Sequence, residues 1–318
     1  MPGPLVPRCI VPTAAILASL FSSPAGVLSQ RVSRDQPTVI PLSYFGNDSL
    51  PMLQVDIGGR RLPFILDFGA GITVLSKQLC DTLRCSPAGR MAGFRHTGEV
   101  LELALVSLPA LQLGPIRQSH LTGAVMDLTA WQKAAPVAGI LSLQLLEHTP
   151  FELDVTGRRL ILNPAASRRR TTDAVDTRVA VIRQHPSTVE IDVPVFLAGQ
   201  SLGWAQLDTG SPQTYIHTWW KPLLSQHGRK LYVKEQQSWT GRRDSVEYWS
   251  VHGLSFLDPI ATNDTATVEV GTIVPDAVIG LDLLRQGVLR CNLDALSCSF
   301  ARRARPSARP ARSFVPDG

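Results

Sequence analysis

The chain predicts an all-β protein of two pseudo-symmetric, β-barrel-like lobes with a cleft between them. Short apolar runs bounded by turn residues recur along its length, and 24 Gly and 24 Pro among 318 residues supply the turns. An internal repeat carries one acid per copy. The acids stand in matching frames, Phe64-Ile-Leu-Asp-Phe-Gly-Ala-Gly-Ile-Thr-Val-Leu75 and Ala205-Gln-Leu-Asp-Thr-Gly-Ser-Pro-Gln-Thr-Tyr-Ile216, with Asp67 and Asp208 separated by 141 residues. A chain of this length is ample for two domains of ordinary size.

The repeat is anchored at several points. Gly58 pairs with Gly199, Leu66 with Leu207, Gly69 with Gly210 and Thr73 with Thr214. Further on, Ile140 to Leu146 parallels Val278 to Leu284, and Leu153-Asp154 parallels Leu293-Asp294. Each copy therefore reads as an apolar strand, an Asp-x-Gly turn, a second apolar strand, a long β-rich middle, a buried strand with a small residue, and a last hairpin.

Residues 1–29 read as an export signal, with Arg8 ahead of an apolar stretch from Ile10 to Phe21 and small residues up to Ser29. The stretch is too short to span a bilayer, and no other segment is long and apolar enough to do so, so an exported protein without a stable membrane span is expected. The N-terminal lobe covers 30–163, with Thr38 to Phe45 as its first strand. Residues 164–177, with Arg168, Arg169 and Arg170, read as an inter-lobe linker. The C-terminal lobe covers 178–300, starting at Val179-Ala-Val-Ile182, and an Arg/Pro-rich flexible tail covers 301–318.

The formal charge of +5 and the isoelectric point near 9.1 do not imply a nucleic-acid partner, because the basic residues are unevenly placed. The tail alone holds five arginines against Asp317, and the lobes are near neutral. Asn47-Asp-Ser49 and Asn263-Asp-Thr265 are glycosylation acceptors in a host that glycosylates exported proteins.

Loss of the signal removes Cys9 and leaves Cys80, Cys85, Cys291 and Cys298 in two close pairs. An even count in an exported chain reads as two small loops, Cys80–Cys85 and Cys291–Cys298, the second clamping the final hairpin, with four reduced thiols as the alternative. Neither pair has the short spacing of a zinc site, and no metal is expected.

At its two acids the chain resembles the pepsin and retropepsin superfamily of aspartic proteases, over roughly residues 38 to 300. In that family each lobe presents Asp-Thr/Ser-Gly on a tight loop braced by an apolar-apolar-Gly segment. The resemblance implies a pepsin-like acid protease fold, with Leu66-Asp67-Phe68-Gly69 braced by Ile140-Leu141-Ser142 and Leu207-Asp208-Thr209-Gly210 braced by Val278-Ile279-Gly280. It implies an exported endopeptidase in which Asp67 and Asp208 share one proton and activate water. Gly69, Thr209, Gly210, Ser211 and Gly280 would support the dyad. A peptide or protein substrate in the inter-lobe cleft, no organic cofactor and a monomer are expected. The resemblance also supports the Cys80–Cys85 loop, and it makes Met91 to Val100 the flap, with Phe94 and His96 as candidates to touch peptide.

Lobe one departs from that pattern in three places. Phe68 stands where Thr or Ser is usual, Ser142 replaces the bracing Gly, and Gln144 stands where lobe two has Asp282. In the family the Thr hydroxyls bond across the lobe interface. Phe68 has no hydroxyl, so Thr209 retains half of that brace. Two readings stay open: a working endopeptidase, or a catalytically weak or inactive relative that binds peptides or a protein partner. The Asp67-Phe68-Gly69 string is not a kinase motif, since no Gly-rich loop with a following Lys precedes it and no His-Arg-Asp loop exists.

Overall fold

The computed structural model describes residues 36–46, 50–164, 175–237, 243–259 and 264–303. The expected signal, Asn47-Asp-Ser49, Asn263, residues 165–174 of the expected linker and the tail beyond residue 303 lie outside these. The described residues form three sheets, none of them closed into a barrel, so the lobes are open, strongly paired sheets rather than the barrel-like bodies expected.

Lobe one contributes a 10-stranded sheet and lobe two a 9-stranded one, with matching strand orders. In each, a hairpin leads into the acid: Leu50–Ile57 with Arg60–Leu66 in lobe one, and Glu190–Leu197 with Gln200–Leu207 in lobe two. A short strand after the acid, Val74–Ser76 or Tyr215–His217, runs antiparallel to the buried strand Gly139–Leu141 or Ala277–Ile279, which itself runs parallel to the strand entering the acid. These inner strands carry near-continuous apolar runs because both of their faces are covered. Glu190–Leu197 instead alternates, with Ile191, Val193, Val195 and Leu197 buried and the residues between them only partly so.

The register refines the repeat. Both hairpins turn through two left-handed residues, Gly58-Gly59 (φ 56 and 74) and Ala198-Gly199 (φ 49 and 79), so Gly199 is equivalent to Gly59 and not to Gly58. The extra residue in lobe two is Leu202, a β-bulge between Ser201 and Gly203, which restores the 141-residue offset before Asp208. The later anchor Leu153-Asp154 also shifts. Asp154 opposite Arg159 closes one hairpin as Asn292 opposite Ser297 closes the other, so Asp154 corresponds to Asn292 and not to Asp294.

The two last hairpins join. Phe151–Asp154 pairs with Gly287–Asn292, and the resulting 6-stranded sheet also takes Thr38–Pro41 at one edge and Thr177–Arg178 at the other. Thr177, placed by sequence in the linker, is thus in a strand. Across the seam, buried Glu152 accepts from Arg290 Nε at 2.7 Å. One buried apolar cluster runs through both lobes and this shared sheet.

Cys291 and Cys298 face each other in that sheet and are disulfide-bonded, Cα to Cα 4.2 Å. The Cys80–Cys85 disulfide expected from sequence is corrected: both residues are thiols. The helix Lys77–Leu83 ends in a left-handed Arg84 (φ 53), and the Cys85 N–H donates to the Cys80 carbonyl at 3.1 Å. Burial, and then the hydrogen bond with the Cys80 thiol, push the Cys85 thiol up to about 12. Because the Cys291–Cys298 loop is short, its removal by a double Ser substitution is expected to lower stability by about 2 kcal/mol. Chemical denaturation measures this, and an unchanged midpoint would contradict the clamp.

Candidate active site

Each acid sits where an inner strand ends and a tight turn begins. Asp67 N–H donates to the Leu141 carbonyl at 2.9 Å and Asp208 N–H to the Ile279 carbonyl at 3.0 Å, which fixes both acids on their bracing strands. Each carboxylate then caps its own turn, accepting from Gly69 N–H at 2.9 Å and from Gly210 N–H at 2.7 Å. The glycines have a second purpose. A Cβ at Gly69 would lie 2.5 Å from Asp208 Cγ, and one at Gly210 would lie 2.4 Å from Asp67 Cγ. Each turn therefore makes room for the other lobe's acid.

That close approach brings the carboxyls into hydrogen-bond contact. Burial first, then the Asp208 charge, and then the hydrogen bond with Asp208 hold the Asp67 carboxyl well above the usual carboxylate range. Asp67 keeps a proton that an isolated aspartate would lose, and the two acids behave as one coupled pair.

The Thr209 hydroxyl braces the two turns across the lobe interface. Its hydroxyl donates to the Leu66 carbonyl at 2.7 Å and accepts from the Phe68 N–H at 3.0 Å. The Phe68 ring is fully buried and meets Phe151 edge-on, centroids 5.4 Å apart. Since Phe151 lies in the shared sheet, Phe68 anchors the catalytic turn to the seam between the lobes by packing.

The other two departures are also accommodated. Ser142 and Gly280 have the same extended backbone (φ −87, ψ 178 and φ −93, ψ −176). Only Gly280 is crowded, its Cβ position being 2.2 Å from the Gln213 carbonyl. Ser142 Oγ contacts Thr73 Oγ1 at 3.1 Å. In lobe two, Thr214 Oγ1 accepts from Gly280 N–H at 3.1 Å and donates to Asp282 at 2.7 Å. Gln144 replaces that acid as acceptor for Thr73 N–H at 2.7 Å, and its amide donates to the Thr122 carbonyl at 3.1 Å and to the Ser187 carbonyl. Ser211 does not reach a carboxylate: its hydroxyl donates to the Gln213 carbonyl at 2.7 Å. It stabilises the turn alone.

The two flap candidates separate. Between the strands Ser86–Phe94 and Val100–Ser107, His96 turns toward lobe two, where its ring lies 4.7 Å from that of Tyr215 and its carbonyl accepts from Val274 N–H at 2.6 Å. Burial lowers the His96 pKa, partly opposed by Asp208. Phe94 is 60% exposed. Sequence reasoning also missed Glu190. Its carboxyl lies against Gly71, where a Cβ would be 2.7 Å from Oε1, and it accepts from Gln206 Nε2 at 3.2 Å. Gln206 Nε2 also reaches the Gly69 carbonyl at 3.4 Å. Burial and then the charges of Asp192 and Asp208 push Glu190 up to about 7. Its only sequence signal was its place in the strand before Asp208.

A sequence profile described as "Aspartyl protease" matches residues 53–145, the stretch from the first hairpin through the Asp67 turn to its bracing segment. Over that stretch the chain is similar to aspartyl proteases. Solved structures share the fold over most of their length. Basic 7S globulin from soybean is 12% identical, with 83% of this chain and 94% of that one covered at a TM-score of 0.51. Conglutin gamma, a basic 7S globulin from lupine seeds, is 10% identical, with 84% and 95% covered at 0.52. The protein titled edgp is 8% identical, with 84% and 95% covered at 0.52. A comparison with curated proteins finds no match.

Phe68→Thr empties the space beside Phe151, so it is expected to lower stability by about 3 kcal/mol or more without raising any activity. Thermal and chemical denaturation measure the loss, and an unchanged or raised midpoint would contradict the packing role. Gly69→Ala should separate the carboxyls while the strands remain. Its test is the pKa of Asp67, which should fall toward the ordinary aspartate range if the contact with Asp208 is lost.

Proposed function

We propose that this chain is an exported aspartic endopeptidase that hydrolyses peptide bonds with water activated by Asp67 and Asp208. The single observation that carries the reading is the close approach of two carboxyls, one from each lobe, each filling the space left by the other turn's glycine, where burial and the Asp208 charge raise the Asp67 pKa. Two acids pressed together are costly to a fold, and a surface that only binds has no use for them. Phe68 leaves half of the brace in place, because the Thr209 hydroxyl makes two cross-lobe bonds to the Asp67 turn.

The chemistry follows from one shared proton. The pair carries one negative charge, so it takes a proton from a water lying between the carboxyls as that water attacks the scissile carbonyl. The Asp67 proton is donated toward the carbonyl oxygen, where negative charge develops. The resulting tetrahedral gem-diol collapses when one carboxyl passes its proton to the leaving amine nitrogen while the ionised carboxylate takes a proton from a diol hydroxyl. The C–N bond breaks as the acyl C=O re-forms, and the pair is left again with one proton. No covalent bond to the protein forms, and the Gly69 and Gly210 N–H groups hold each carboxylate in place throughout. Export is supported by the Cys291–Cys298 disulfide, a bond that persists in oxidising compartments, and by the signal-like residues 1–29.

Asp67→Asn and Asp208→Asn are each expected to abolish hydrolysis of a peptide library across acid to neutral pH while leaving the circular dichroism spectrum unchanged, since one carboxyl cannot both hold and take the proton. Turnover by either variant near that of the parent would sink the dyad assignment.

A second test uses Glu190. Its carboxyl binds protons more tightly in the folded chain than in the unfolded one, so its contribution favours the fold in acid and is lost as pH rises through about 7. Glu190→Gln is expected to flatten the fall in thermal midpoint between about pH 5 and pH 8. Parallel curves for parent and variant would contradict this.

A further inference from the structure

Lobe two reaches the Asp67 turn at a second place besides the Thr209 hydroxyl. Val189 N–H donates to the Gly71 carbonyl at 2.8 Å, and the next side chain, Glu190, lays its Oε1 against Gly71, 2.7 Å from where a Cβ there would stand. Gly71 is left-handed (φ 64) and cedes that space. Glu190 Oε2 accepts from Gln206 Nε2 at 3.2 Å, and the same nitrogen reaches the Gly69 carbonyl at 3.4 Å, so both of its hydrogens are engaged. Gly69 is the residue whose missing Cβ admits the Asp208 carboxyl. The Gln206 amide therefore holds lobe one at the glycine on which the approach of the two acids depends.

Lobe one carries no counterpart at these places. Ile65 stands where Gln206 does and, two residues before the aligned partners Met52 and Asp192, Leu50 stands where Glu190 does. Pro212 follows Asp208 at the position where Gly71 follows Asp67. The polar arm thus runs one way, from lobe two onto the turn in which Phe68 has no hydroxyl to offer. Glu190 is also enclosed by groups that resist its charge. Asp192 lies two residues along its own strand on the same face, Ile182 stands opposite it on the neighbouring strand, and Asp208 acts on it across the interface. Among the described residues no Lys or Arg charge acts on it. Burial, then Asp192, then Asp208 push its carboxyl up to about 7. A neutral Glu190 accepts from the amide without adding charge, whereas an ionised one sets a second negative charge beside the singly charged dyad.

We infer that Glu190, acting through Gln206, is a positioning residue for hydrolysis: neutral, it holds the Asp67 turn against lobe two, and its ionisation slackens that hold. This rests on the hydrolase reading for what is positioned. The brace itself rests on the contacts with Gly69 and Gly71.

Two variants of the full chain test it. Gln206→Ile, which gives lobe two the residue type of Ile65, is expected to lower kcat for a cleaved peptide about 10-fold or more with KM little changed, since small misplacements of catalytic groups are that costly. In the same variant the Asp67 pKa, read by NMR, should fall toward the ordinary aspartate range. Glu190→Gln keeps an acceptor of the same size and removes the acid. Its turnover relative to the parent should rise about 10-fold between about pH 5 and about pH 8, where only about a tenth of the parent's Glu190 stays neutral. A merely structural role for Glu190 would leave that ratio level, and a level ratio overturns the inference. So does a Gln206→Ile variant with the parent's turnover or the parent's Asp67 pKa. Where Gln206→Ile fails to fold, as circular dichroism shows, the Glu190→Gln ratio decides alone. A parent that cleaves no peptide removes the hydrolase reading, and the Asp67 pKa of Gln206→Ile then decides the brace, a fall upholding it and no change removing it.

Discussion

The contact between the Asp67 and Asp208 carboxyls is the constraint on which the rest of the structure depends. Two acids are unfavourable together, so the surrounding fold has to over-determine their approach. Each acid is fixed through its backbone N–H to a buried bracing strand and through its carboxylate to a glycine N–H in its own turn. Each glycine also yields the volume that the opposite carboxylate occupies. A single hydroxyl, that of Thr209, ties one turn to the other.

The two lobes reach this arrangement by different chemistry. Lobe two uses Thr214, Gly280 and Asp282 behind its turn, whereas lobe one uses Thr73, Ser142 and Gln144 with the same acceptor logic and an added amide that reaches Ser187. Where the familiar pattern has a second cross-lobe hydroxyl, lobe one has the Phe68 ring packed on Phe151 in the shared sheet. Hydrogen bonding from one side and apolar packing from the other hold the same pair. The asymmetry continues within the sheets, where Ile65, Ile140 and Val74 align in lobe one at the places that Gln206, Val278 and Tyr215 take in lobe two.

Much of this was legible in the sequence because it rests on local signals. The Asp-x-Gly turns, the apolar strands beside them and the bracing segments are short and repeated, and two copies at one offset exclude a chance turn. Features set by pairing between distant strands were not legible. The Leu202 bulge moves a register by one residue without changing composition, which made Gly58 seem the partner of Gly199. The joining of the last hairpins into one sheet depends on strands more than a hundred residues apart, as in the pairing of Leu153 with Leu289. Cys80 and Cys85 have suitable spacing for a bridge, yet both are thiols. Glu190 and Glu269 carry no motif. Their places come from contacts between neighbouring strands, Glu190 with the Gln206 amide and Glu269 opposite Tyr215.

The sharing of one proton between the two acids is most directly tested by titrating the carboxyl carbons of aspartate-labelled protein by NMR. The structure predicts that Asp67 keeps its proton well above the ordinary aspartate value of about 3.9, and that Asp208→Asn brings it back toward that value. An Asp67 that titrates near about 3.9 in the parent protein would contradict it.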